Sequence, residues 1–195
     1  SATGVQVLTS STAVTQNSWN HVAWVKSGST IYIFINGVSA SSTAFTGTFG
    51  GSTGTVKVGQ ADNGVYFPGY ISNLRIVKSA VYTSNFTPST APLTAITNTA
   101  LLVCQSNRFL DNSTNAYAIT TTPSVQPFSP FAPSAAYGVS SVGGSIYFPQ
   151  NSDYVTYADT NSGNFGTGNF TVELWVYPQG VSLNYIFNNS STNNW

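Results

Sequence analysis

Residues 19–37, WNHVAWVKSGSTIYIFING, constrain the fold more than any other stretch of this chain. Alternation sets His21, Ala23 and Val25 against Val22, Trp24 and Lys26. After Ser27-Gly28-Ser29 it resumes, with Ile31, Ile33 and Ile35 on one face and Tyr32 and Phe34 on the other. Asn36-Gly37 follows, a pair suited to a type I′ turn because both residues tolerate positive φ. A period of two carried through two turns predicts antiparallel strands.

The same reading places further strands at 5–8, 38–40, 55–59, 70–77, 101–104, 116–121, 145–148, 154–157, 170–177 and 185–187. Within 70–77, Ile71, Asn73, Arg75 and Val77 are set against Tyr70, Ser72, Leu74 and Ile76. Within 170–177, Phe170, Val172, Leu174 and Val176 are set against Thr171, Glu173, Trp175 and Tyr177. Residues 78–86 have room for one helical turn before Pro88 and Pro92 stop regular structure. The proline-spaced run 123–133 reads as an extended surface loop, and 93–98 as a linker. About a dozen short strands and no long helix predict an all-β fold: an antiparallel two-sheet β-sandwich of the jelly-roll kind.

Charge is sparse, at 5% of 195 residues, and the five basic side chains are scattered, which gives no footprint for nucleic acid and no polybasic membrane anchor. No run approaches the ~18 apolar residues of a membrane-spanning helix. A surface built from Ser, Thr, Asn and Gly suits a virion or another extracellular surface. Cys104 has no second cysteine to pair with and sits in an apolar run, so it reads as a buried thiol. With no methionine, the chain reads as a piece of something longer.

Several stretches carry a resemblance to the laminin-G-like, or concanavalin A-like, jelly roll. NSWNHVAWVKSGSTIYIFINGV (17–38) resembles the family's central strand and hairpin. VKVGQ (56–60) and YFPGYISNLRIVKSAVY (66–82) resemble its closing strands. GGSIYFPQNSDYVTY (143–157) and GNFTVELWVYP (168–178) resemble its opening ones. The spacer ALLVCQSNRFLDNSTNAYAI with QPFSPFAPSAAY resembles inter-domain sequence of virion structural and tail-fibre proteins of marine cyanophages. The order is inverted: residues 1–92 resemble the C-terminal half of one domain, and 99–195 the N-terminal half of another. Two arrangements fit. The chain is cut across two tandem domains, or its halves complete one jelly roll by permutation or by strand exchange between copies.

The superfamily includes glucanases, but glycoside hydrolysis usually needs two carboxylates ~5 to 9.5 Å apart. Glu173 is the one glutamate, and no acidic residue lies two or four positions away on its strand. It reads as a solvated or hydrogen-bonded strand residue, and His21 as a packed histidine donating to a backbone or hydroxyl oxygen. No enzyme is expected, and no cofactor beyond calcium, which many laminin-G-like domains hold at the sandwich rim. Asp62, Asn63, Asp153 and Asp159 have the oxygen chemistry for it. Tyr66, Phe67, Tyr82, Tyr137 and Trp195 are the aromatic platforms a glycan site would draw on. The resemblance implies a virion structural or tail-fibre module, serving as a spacer or as an adhesion module for host glycans. Its partners would be other surface subunits in a homo-oligomer or array. A bacterial extracellular adhesin or filament protein is the alternative, and a carbohydrate-active enzyme stands behind both.

Overall fold

β1 (Asn20–Ser27) and β2 (Thr30–Ile35) pair antiparallel, with Trp24 opposite Ile33 and Ser27 opposite Thr30. Gly28 takes φ +57° at the first turn, the position where a type II′ turn needs it. Asn36 and Gly37 both have positive φ, 52° and 77°. They lead into β3 (Val38–Ala44), which returns along β2. The computed structural model describes residues 8–49, 54–60, 65–106, 108–128, 143–149, 152–159, 164–180 and 186–188.

The remaining strands are β4 (Gly54–Val58), β5 (Gly69–Val77), β6 (Thr99–Val103), β7 (Ile119–Thr121), β8 (Gln126–Phe128), β9 (Ser145–Phe148), β10 (Val155–Asp159), β11 (Phe170–Pro178) and β12 (Phe187–Asn188). An eight-stranded sheet runs β3-β2-β1-β11-β5-β9-β8, with β6 also pairing β5, and a four-stranded sheet runs β12-β4-β10-β7. Every pairing is antiparallel, and no helix occurs among the described residues. Val22, Ile33, Leu74, Ile76, Val172 and Leu174 of the large sheet pack with Val58, Val155, Tyr157 and Phe187 of the small one. The result is an all-β, concanavalin A-like sandwich.

Both sheets draw on distant parts of the chain. β11 lies between β1 and β5, with Ala23 opposite Glu173 on one side and Arg75 opposite Glu173 on the other. β4 in turn lies between β10 and β12.

Simple alternation holds through β1, β2 and β11 but fails in β5. The register against β11 slips between Glu173 and Trp175, and Asn73 takes φ +53° at that point. An extra residue in one strand turns every later side chain over. Ile71, Leu74 and Ile76 therefore all enter the core, and Ile71 does not share a face with Arg75. The bulge is held from the edge away from β11: Asn73 N–H donates to Cys104 O (3.0 Å), and Ser72 Oγ donates to Gly144 O (2.6 Å).

Other departures have local causes. Residues 78–86 form no helical turn, because their polar groups bond to the sheet beneath them, as described below. Gln126–Phe128, expected as extended loop, pairs with β9. The strand expected over 116–121 begins only at Ile119, since Ala116 takes φ +47°. Most of the strand expected at 5–8 lies outside the described residues, and Leu8 packs against the core without joining a strand.

The outer edge of β6 is capped. Asp111 Oδ1 accepts the Leu102 N–H (3.0 Å), Asn112 N–H donates to Leu102 O (2.7 Å), and Asn115 Nδ2 donates to Ala100 O (2.8 Å). A turn whose side chains occupy an edge strand's backbone groups blocks pairing with another chain.

Candidate functional site

The ionisable groups that β1 and β5 place on the outer face of the large sheet converge on Glu173. In β1, β11 and β5, the residues that alternation or the bulge turns outward include His21, Glu173 and Arg75. Arg75 Nε and Nη2 both donate to Glu173 Oε1, at 2.8 and 2.5 Å. Tyr82 Oη donates to Oε2 at 2.8 Å, and His21 Nε2 lies 3.3 Å from the same oxygen. Glu173 is fully buried and His21 is 1% exposed.

A strap, residues 78–98, seals this cluster. Thr171 Oγ1 accepts from Val81 N–H and donates to Ser79 O, at 2.8 and 2.9 Å. Trp175 Nε1 donates to Ser89 O (3.0 Å), Leu93 N–H to Asn73 Oδ1 (2.7 Å), and Arg75 Nη1 to Thr94 O (2.8 Å). Phe86 N–H donates to Gly37 O (2.9 Å), pinning the strap across the tip of the hairpin. The fit there leaves no room for a side chain: a Cβ on Gly37 would sit 2.0 Å from Phe86 O. Aromatic rings close the remaining gaps. Tyr82 stacks on Phe86 at 3.6 Å, and His21 meets the edges of Phe86 and Trp175 at 5.5 and 5.3 Å.

Burial by itself disfavours the charged form of a carboxyl. At Glu173 that effect is outweighed by the hydrogen bond from His21, the Arg75 charge and the Tyr82 hydroxyl, which together hold its pKa below the usual carboxylate range. Tyr82 moves the other way: burial first, then the Glu173 charge and hydrogen bond, push its phenol up and keep it a donor. The result is an ionised carboxylate with donors on both oxygens and a roof over it. Such a group holds strands together and is closed to a substrate.

The two other acids whose side chains are described are also internal. Asp111 accepts from the N–H groups of Leu102, Ser113 and Tyr117 and from Ser113 Oγ. Asp153 is fully buried and accepts from Thr122 Oγ1 at 3.3 Å. Asp159 ends β10 opposite Gly54, and Asp62 and Asn63 lie outside the described residues. Among the described residues no three of His, Cys, Asp and Glu are gathered as a metal would need.

The candidate aromatic platforms among the described residues, Tyr66, Phe67 and Tyr82, form no shared exposed surface. Phe67 is 2% exposed and belongs to the core. Tyr82 is spent on Glu173 and Phe86. Tyr66 is half-buried and bridges to Gln60, while Tyr137 and Trp195 lie outside the described residues. A different aromatic row does form on the outer face. Tyr177, Tyr70 and Tyr147 are register partners across β11, β5 and β9. Tyr70 stacks on Tyr147 at 4.5 Å and meets Tyr177 edge-on at 5.8 Å, while Trp19 meets Tyr177 at 5.7 Å. All four are half-buried. Burial, then the neighbouring Tyr147 and Tyr177, raise the Tyr70 pKa, so its hydroxyl stays protonated.

Sequence reasoning sought a second carboxylate near Glu173 and missed its partners Arg75, His21 and Tyr82. The available signal was rarity: His21 is the one histidine and Glu173 the one glutamate, and with Arg75 they sit within strands of a chain only 5% charged.

The described residues thus form a two-sheet antiparallel sandwich whose Glu173 is sealed. Consistent with this, a laminin-G-type family model described as the concanavalin A-like lectin/glucanases superfamily matches residues 1–84. That span runs from the N-terminal segment through β5 into the strap. No curated protein and no solved structure matches the chain.

Proposed function

We propose that this chain is a non-enzymatic, lectin-like module of a virion or tail fibre that serves as spacer and as adhesion surface for neutral host glycans. The observation that carries this reading is the sealed Glu173 within an all-β sandwich: the chain's one glutamate is fully buried and engaged by Arg75, Tyr82 and His21. Two further features support it. The half-exposed row Trp19, Tyr177, Tyr70 and Tyr147 offers ring carbons and hydroxyls without any charge, which suits an uncharged sugar. The spacer at 100–119 resembles inter-domain sequence of phage tail-fibre proteins. Single contacts of this kind are weak, and many copies on one particle multiply them.

A glycan array probed with the multimerised chain tests the adhesion role. Binding to neutral glycans that is lost in Tyr147→Ala and Tyr177→Ala supports it, and uniform absence of binding leaves the spacer role alone. Hydrolysis of a β-glucan by the chain, abolished in Glu173→Gln, overturns the non-enzymatic reading. Mass spectrometry of purified virions against bacterial cell envelopes separates a virion module from a bacterial adhesin.

A further inference from the structure

The two ends of the chain are interleaved reciprocally. β11 has β1 and β5 as its sheet neighbours, both from the first part of the chain. β4, from that first part, has β10 and β12 as its neighbours, both from the second. No strand of its own part flanks β11. Glu173 repeats the pattern at the level of side chains: His21, Arg75 and Tyr82 all belong to the first part, and the carboxylate is delivered from 98 residues beyond Arg75. Without β11 the first part would hold a buried arginine and a buried histidine facing an empty slot, with both slot edges unpaired.

None of these contacts depends on which chain delivers the strand. We propose that the slot between β1 and β5 is a strand acceptor that takes the Glu173-bearing β11 of a second copy as well as its own, linking copies by reciprocal exchange. The partner is fixed by register and charge. The incoming strand must place a carboxylate opposite Ala23 and Arg75, with Thr171 two residues before it for the strap and Trp175 two residues after it. A one-residue slip turns the carboxylate into the core, and a two-residue slip sets Thr171 or Trp175 against Arg75. Exchange of identical elements closes into symmetric dimers, or continues into chains where geometry prevents closure. A donor tethered in cis has an effective concentration on the order of mM, so exchange competes where copies are crowded to that level. The inference stands whether or not the module binds sugar.

Tyr70 of β5 and Tyr177 of β11 are direct register partners and half-exposed, which makes them a reporter of which chain supplies β11. The 195-residue Tyr70→Cys and Tyr177→Cys chains are denatured, mixed and refolded together under reductant at ~1 µM and at ~1 mM. They are oxidised only once native circular dichroism returns, when Cys104 is again buried. The expected product is a disulfide-linked dimer holding one chain of each kind, at twice the 20.6 kDa chain mass and more abundant at the higher concentration. The doubly substituted chain should close internally at low concentration. Single variants that stay monomeric at both concentrations while the double variant closes overturn the proposal, as does a double variant that fails to close. If either single variant does not refold, the unsubstituted chain is refolded as a mixture of isotopically light and heavy copies and read by native mass spectrometry. Mixed dimers then support exchange, and monomers alone overturn it.

Discussion

Arg75 and Glu173 stand opposite one another in β5 and β11 and are joined by two hydrogen bonds to one carboxylate oxygen, with the carboxylate fully buried. That pair links two neighbouring nine-residue strands of the large sheet. It leaves Oε1 engaged by the guanidinium, while Tyr82 and His21 face Oε2.

The strap holds this pair directly at two points, through the Tyr82 hydroxyl on Glu173 and through Thr94 O on Arg75. Tyr82→Phe keeps the ring on Phe86 and removes only the donor to Glu173. A hydrogen bond to a charged group contributes about 1.5 kcal/mol or more, and urea unfolding should show a loss of that size. Tyr82→Ala should lose more, since the stacking goes too.

Acid should weaken the fold through Glu173. Its folded pKa is depressed, so its contribution is fully present above the unfolded value near 4.5 and is lost as pH falls through the lower folded value. Thermal melts from neutral pH downward should hold level and then decline below about 4.5. In Glu173→Gln that part of the decline should be absent, and an unchanged acid limb would show the group to be unshifted.

Gly37 and Gly28 separate two costs of placing a side chain at positive φ. At Gly28 nothing lies within 4 Å of the added Cβ, so Gly28→Ala carries only the backbone cost, about 1 kcal/mol. At Gly37 the added Cβ meets Phe86 O at 2.0 Å, and the strap must lift. Gly37→Ala should cost at least about 3 kcal/mol by denaturant unfolding. Equal losses at the two sites would mean that the strap does not cross the hairpin as described.

Much of this was legible in the chain itself. The hairpin, the alternation of β1, β2 and β11 and the all-β class follow from side-chain period and turn chemistry, which are local properties. The faces of β5 were not legible, because a bulge at Asn73 depends on what Cys104 and Gly144 offer from elsewhere in the chain. The strap was unreadable for the same reason. Its order comes from side chains of Thr171, Trp175, Asn73 and Arg75, none of them sequence neighbours, and 78–86 carries no periodicity of its own. Glu173 read correctly as a hydrogen-bonded strand residue, yet it is not solvated, and its histidine partner meets a carboxylate where a neutral oxygen was expected.

Cys104 should be chemically silent in the native state. Burial raises its thiol pKa, and it is 1% exposed. A thiol reagent at neutral pH should label it only as fast as the chain unfolds, with the rate rising in step with urea. Fast labelling without denaturant would place Cys104 at the surface.

The central claim is that Glu173 is a buried structural partner of Arg75, and a double-mutant cycle tests it most directly. Arg75→Met, Glu173→Gln and the double variant are compared with the unsubstituted chain by urea unfolding. Each single change strands the other partner, so the account predicts a coupling of about 2 kcal/mol, with the double variant losing less than the two single losses combined. Single losses that add to within about 0.5 kcal/mol would contradict it.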